Sequence, residues 1–131
     1  EKILFGLGEM YRNGSDIWYA AKNKVNEIWE YWGWTMKKGY IIGQITITDP
    51  KKYQQYASET ENIIKSFGGR YLIRGGDQII AEGTPQGNRD VVVEFDTLEK
   101  AKQFYESEEY AKIIDIRKEN STGYILMVEG Y

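Results

Sequence analysis

Arg74 followed by Gly75-Gly76 is the arrangement in this chain best suited to hold an anion. An arginine fork grips a carboxylate or enolate oxygen at two points, and glycines let a ligand approach the backbone. The structural alternative for Arg74 is an ion pair with Glu82 or Glu94 at the end of a hairpin. Glu94, between Val93 and Phe95 on a central strand, is expected to be partly buried. Burial raises a carboxyl pKa unless the group is paired, as a general base requires. Glu82 is the second candidate proton carrier. Either glutamate could instead be held in a salt bridge, Glu94 on a subunit-facing surface. Tyr53 and Tyr56 are three apart and share a helix face. They either line a cleft with their hydroxyls offered to a ligand or pack the helix on the sheet.

Composition narrows the chemistry. The 131 residues include no Cys and no His, so thiolate and Ser-His-Asp catalysis and Cys- or His-ligated metal sites are excluded. Gly6 and Gly8 match no dinucleotide fingerprint or phosphate loop, and no metal or cofactor is expected. The balance of 17 Lys+Arg against 20 Asp+Glu leaves a net charge of −3, which argues against a nucleic-acid partner. Apolar runs are too short to span a membrane or to form a signal peptide, so the default location is the cytoplasm.

The chain has two unlike parts. Trp18, Trp29, Trp32 and Trp34 account for all of its tryptophan. Ile17, Ala21, Val25, Ile28 and Trp32 recur at helical spacing after a cap at Ser15 or Asp16. The spacing predicts an amphipathic helix from about Ser15 to Trp32, whose apolar stripe must dock on something. Met36-Lys37-Lys38 reads like an open-reading-frame start. Residues 1–35 are therefore expected to be an N-terminal helical extension, or a fused or artificial leader, and 36–131 the main domain. An ordinary internal Met is the alternative.

In the main domain, Tyr40–Thr48 alternates as a strand should, with Ile41, Gly43, Ile45 and Ile47 on one face. Asp49-Pro50 starts a helix bearing Tyr53, Tyr56, Thr60, Ile64 and Phe67, and Gly68-Gly69 ends it. Arg70–Arg74 is a strand, Gly75-Gly76-Asp77 a hairpin turn, Gln78–Glu82 the start of the next strand and Arg89–Phe95 the strand proper. A helix capped by Asp96 or Thr97, a short helix from Ser107 to about Lys118, and a strand Tyr124–Glu129 follow. The order β-α-β-β-α-β predicts an α+β, ferredoxin-like fold with a four-stranded antiparallel sheet and both helices on one face. The uncovered face, with Tyr40, Ile42, Gln44, Thr46, Asp90, Val92 and Glu94, is too apolar to stay wet. It is expected to close a homodimer over residues 40–48 and 88–95.

Gly39-Tyr40-Ile41-Ile42, Thr48-Asp49-Pro50 with Tyr53 and Tyr56, Phe67 through Gly76, Glu82-Gly83, Val91 through Phe95, and Tyr105 through Tyr110 resemble the bacterial domain of unknown function 1330 family. That family lies in the dimeric α/β-barrel superfamily. The resemblance covers about residues 39–131 and leaves 1–38 uncovered. It implies a ferredoxin-like fold and a dimer whose two sheets form a barrel, and it supplies no reaction.

Two functional readings follow. In the first, a dimeric α/β barrel binds or transforms a small anionic or aromatic metabolite without a cofactor. Arg74 orients it beside Gly75 and Gly76, Glu94 or Glu82 moves a proton, and Tyr53 and Tyr56 line the pocket. In the second, the protein is a non-catalytic assembly module whose N-terminal helix docks a partner or a neighbouring subunit.

Overall fold

The computed structural model describes residues 2–5, 8–13, 17–19 and 37–131. The chain divides into two compact units, Glu1–Met36 and Lys37–Tyr131. In the first, strands β1 (Lys2–Phe5), β2 (Gly8–Asn13) and β3 (Ile17–Tyr19) form an antiparallel sheet in that order. Ile17–Tyr19, expected to open a helix, is extended and pairs with Tyr11–Asn13. The remainder of the helix expected to Trp32 lies outside the described residues.

The second unit runs β4 (Gly39–Ile47), α1 (Pro50–Ser66), β5 (Arg70–Arg74), β6 (Arg89–Phe95), α2 (Leu98–Tyr105), α3 (Glu108–Ala111), α4 (Ile114–Glu119) and β7 (Ser121–Glu129). Its antiparallel sheet has the order β5-β6-β4-β7, the ferredoxin-like arrangement. Local chemistry sets the element ends. The Asp49 carboxylate accepts from the Lys52 N–H at 3.2 Å with Pro50 opening α1. At the other end Gly68, with φ +78°, donates to the Lys65 carbonyl, and Gly69 donates to the Ile64 carbonyl. This pair of bonds needs a left-handed residue at Gly68. Thr97 caps α2 through the Lys100 N–H, and Ser107 caps α3 through the Tyr110 N–H.

Alternation sends Ile41 and Ile45 of β4 and Val93 and Phe95 of β6 towards the helices. They pack on Tyr53, Tyr56 and Ile64 of α1, Ala101 and Phe104 of α2, and Tyr110 and Ile113 beyond it. The rings of Phe95 and Phe104 stack with centroids 5.5 Å apart.

The structure departs from expectation in three further places. Gln78–Glu82 is not a strand; β5 and β6 are joined by an irregular segment over 75–88. Side-chain bonds hold this segment instead of a ladder, with Gln78 Nε2 donating to Asp90 at 2.7 Å and to the Gly87 carbonyl at 3.3 Å. The helix expected from Ser107 to Lys118 breaks into α3 and α4 around Lys112 and Ile113. β7 begins at Ser121, ahead of the expected Tyr124, because its first residues pair with Ile45–Ile47.

β5 also carries a bulge. Arg70 pairs with Glu94 and Tyr71 with Val93, but the next partner of β6, Val92, faces Ile73. Leu72 is the extra residue, and side chains beyond it change face. Among the described residues no helix is long and apolar enough to cross a membrane.

Candidate functional site: a tyrosine-lined cavity under the helices

A cavity of about 60 Å³ lies between the helix-facing side of the sheet and the helices, lined by five tyrosines and three arginines among apolar residues. Tyr53 and Tyr56 reach it from the first two turns of α1, both buried, with ring centroids 5.3 Å apart. Both belong to the core that packs α1 on the sheet, and both stand in the cavity lining. The Tyr56 and Tyr110 hydroxyls are hydrogen-bonded at 2.6 Å. Burial, then the neighbouring Tyr110, pushes the Tyr56 hydroxyl pKa far above the ordinary tyrosine value.

Arg117, on α4, is 8% exposed and donates from Nε to the Tyr110 hydroxyl at 3.2 Å. Burial works against its charge, and the hydroxyls of Tyr110, Tyr56 and Tyr105 outweigh that effect. Arg89 enters from the start of β6, and its Nε is buried without a hydrogen-bond partner. Its guanidinium lies where a Cβ on Gly75 would be. Gly75, with φ +71°, thus makes room for Arg89. Both charges act on Tyr53: burial raises its pKa, and Arg89 and then Arg117 lower it.

Arg74 stands at the rim. Its Nη1 meets Glu61 at 3.1 Å, its Nη2 donates to the Ala57 carbonyl at 3.2 Å, and its guanidinium lies 4.3 Å from the centre of the Tyr71 ring. Its ion-pair partner is therefore on α1, neither Glu82 nor Glu94. Gly76 has open space around it and touches nothing in the cavity.

The two candidate proton carriers lie elsewhere. Glu94 is on the open face of the sheet, where Tyr40 donates to it at 2.9 Å and Arg70 pairs with its other oxygen. The Tyr40 bond first, and Arg70 after it, hold its carboxyl below the usual range despite burial. The expected approach of Arg74 and Glu94 does not occur, because the bulge at Leu72 puts Arg74 on the helix side. Glu82, in the exposed segment 75–88, borders a shallow depression with Gln44, Gln78 and Asp90 and is absent from the cavity lining.

Arg89 and Arg117 have no place in the sequence reading of the site, and Tyr110 stands there only in the family-like run, although the two arginines carry a signal. Arg89 has the parity of Val91, Val93 and Phe95, and Arg117 falls one turn after Ile113, in the apolar stripe. A charge inside an inward-facing pattern is the mark of a buried polar site.

The open face is organised in rows. Ile73, Val92, Ile42 and Leu126 are register partners across all four strands, forming an apolar band. Arg70, Glu94 and Tyr40 border it on one side. Asp90 borders it on the other, accepting from Gln44 at 2.9 Å and from Gln78.

No curated protein matches this sequence. Among solved structures, the chain is similar to RPA0582, a protein of unknown function from Rhodopseudomonas palustris. The TM-score is 0.58 at 10% identity, covering 82% of this chain and 94% of that one. The methylated form of RPA0582 gives a TM-score of 0.57 at 10% identity, over 82% of this chain and 92% of that one. At such identity the likeness speaks for the fold alone. The model of the domain of unknown function DUF1330 matches residues 38–131, and with most of its length inside that match the chain belongs to the DUF1330 family.

Proposed function

We propose that the domain binds a small anionic or aromatic metabolite, without a cofactor, in the cavity between sheet and helices. The observation that carries this reading is Arg117: an arginine 8% exposed, lining a cavity, with no carboxylate partner among the described residues. A buried charge is costly unless something opposite meets it, and proteins seldom retain one without a use. Arg89 reinforces the reading from the opposite wall, Tyr53 and Tyr56 supply hydroxyls, and Arg74 stands at the mouth. Glu94 and Glu82 do not line this cavity, so the reading is one of binding rather than of proton transfer by either group.

The working unit is a homodimer formed through the open sheet face. Support comes from the apolar band of Ile73, Val92, Ile42 and Leu126, with Leu126 49% exposed in the single chain. The thermal test of the binding reading is a screen of small acids and phenols against the purified protein. A rise in melting temperature with at least one class, at constant ionic strength, is expected; no response from either at millimolar concentration sinks it.

A further inference from the structure

The donors around the cavity outnumber its acceptors, and that imbalance specifies the ligand beyond the binding reading on which this inference rests. A guanidinium has five N–H groups and no acceptor. Arg117 has one hydrogen bond among the described residues, to Tyr110. Arg89 keeps a fully buried Nε with no partner, and its charge acts on the Tyr53 hydroxyl. The Tyr56 and Tyr110 hydroxyls hold two protons between them and one bond, so one proton is spare. Thr60, one turn beyond Tyr56 on α1, has a buried hydroxyl oxygen with no partner. Arg74 is already satisfied by Glu61 and the Ala57 carbonyl. No carboxylate lines the cavity. The missing partner is therefore rich in acceptors, poor in donors and negatively charged.

Size sets a second limit. A water needs about 10–15 Å³ of such space. The volume of about 60 Å³ then takes roughly four to six non-hydrogen atoms. A phenol or benzoate ring with its substituent exceeds this, whereas acetate, pyruvate and other acids of two to four carbons fit. Ile45, Val91 and Ile125 provide apolar wall for a methyl end.

We propose that the cavity is a site for a short-chain monocarboxylate, its carboxylate held by Arg89 and Arg117 and its carbon tail against the β4–β6 wall. Gly75 is a positioning residue here, because it leaves the space that the Arg89 guanidinium fills.

The test uses the full chain and calorimetric titration with sodium acetate, pyruvate and benzoate, and with sodium chloride and phosphate at matched ionic strength. Pyruvate or acetate is expected to bind, and Arg89→Gln to weaken it by at least about tenfold, the loss of a charge-assisted bond. Arg117→Lys, which keeps the charge where a neutral residue would threaten the fold, is expected to weaken binding without abolishing it. Lys100→Gln, on the exposed side of α2, should leave the affinity unchanged. Binding of benzoate without the short acids, or equal binding of chloride or phosphate, would leave the cavity a binding site and overturn the monocarboxylate assignment. An affinity untouched in Arg89→Gln overturns it equally. Silence from every compound overturns the assignment and the binding reading together.

Discussion

Tyr110 Oη sits 3.2 Å from Arg117 Nε and 2.6 Å from Tyr56 Oη, so one buried hydroxyl links a cation to the first helix. An Nε–H can only donate, so Tyr110 accepts from Arg117. Accepting from a cation polarises the Tyr110 hydroxyl towards donating in turn to Tyr56. The direction of the chain is thereby set: Arg117 to Tyr110 to Tyr56, with the Tyr56 proton left over. α1, α3 and α4 meet through these three side chains, above the sheet that floors the cavity.

Removing the middle of that chain should cost more than removing its end. Tyr110→Phe strips Arg117 of its acceptor and Tyr56 of its partner, leaving a buried donor unmet. A loss of about 1–3 kcal/mol is expected, against about 0.5–1.5 for Tyr56→Phe. Urea unfolding of the two variants and the double variant measures this; equal costs for the two single changes would contradict the chain.

The open face predicts a pH dependence. Tyr40 and then Arg70 hold Glu94 below the ordinary carboxyl range, and Gln44 and Gln78 do the same for Asp90. A carboxyl whose folded pKa is lowered contributes stability that is whole above its unfolded pKa, about 4, and is lost as pH falls through the folded value. Urea midpoints should thus be flat from neutral pH to about 5 and fall below about 4. Glu94→Gln should flatten the acid limb; an unchanged limb in that variant would show that Glu94 is not part of it.

Much of the fold was legible because its signals are local. The alternation through Ile41, Gly43 and Ile45 depends only on strand period, Asp49-Pro50 only on capping, and Gly68-Gly69 only on the left-handed turn that ends α1. The site was less legible because it depends on parity and on long-range packing. One inserted residue, Leu72, moves Arg74 to the helix side and leaves Glu94 with Arg70. No short-range pattern marks that bulge. Arg117 meets Tyr110 only because α3 and α4 are broken and folded together, where an unbroken helix was expected. Gln78–Glu82 has strand composition, yet Gln78 spends its amide on Asp90 and the segment stays irregular.

The neighbouring glycines at the end of β5 should respond differently to the same change. Gly75 has φ +71°, and an added Cβ would strike the Arg89 guanidinium. Gly75→Ala is expected to lose about 1 kcal/mol or more and to displace Arg89. Gly76 has open space and an ordinary φ, so Gly76→Ala should stay within about 0.5 kcal/mol of the parent. Thermal melts compare the pair, and equal shifts would contradict both the backbone strain at Gly75 and the clash with Arg89.

The apolar band predicts the assembly and how to break it. Ile73, Val92, Ile42 and Leu126 run edge to edge across β5-β6-β4-β7, with Ile73 46% and Leu126 49% exposed in the single chain. Apolar area of that kind is stabilised by leaving water, and a twofold partner offers the same band in return. Val92 sits inside the band, on one of the two central strands, so Val92→Lys would bring an unpaired ammonium into the middle of a dry contact. Its cost in an assembled protein is several kcal/mol, more than the fold of one chain should feel, because the same lysine on an isolated sheet stays in water. Light scattering at micromolar concentration should give the mass of two chains for the parent and of one for Val92→Lys, with near-ultraviolet dichroism retained. A parent that scatters as a monomer would remove the sheet-face dimer. A Val92→Lys protein that stays dimeric would place the contact elsewhere on the surface.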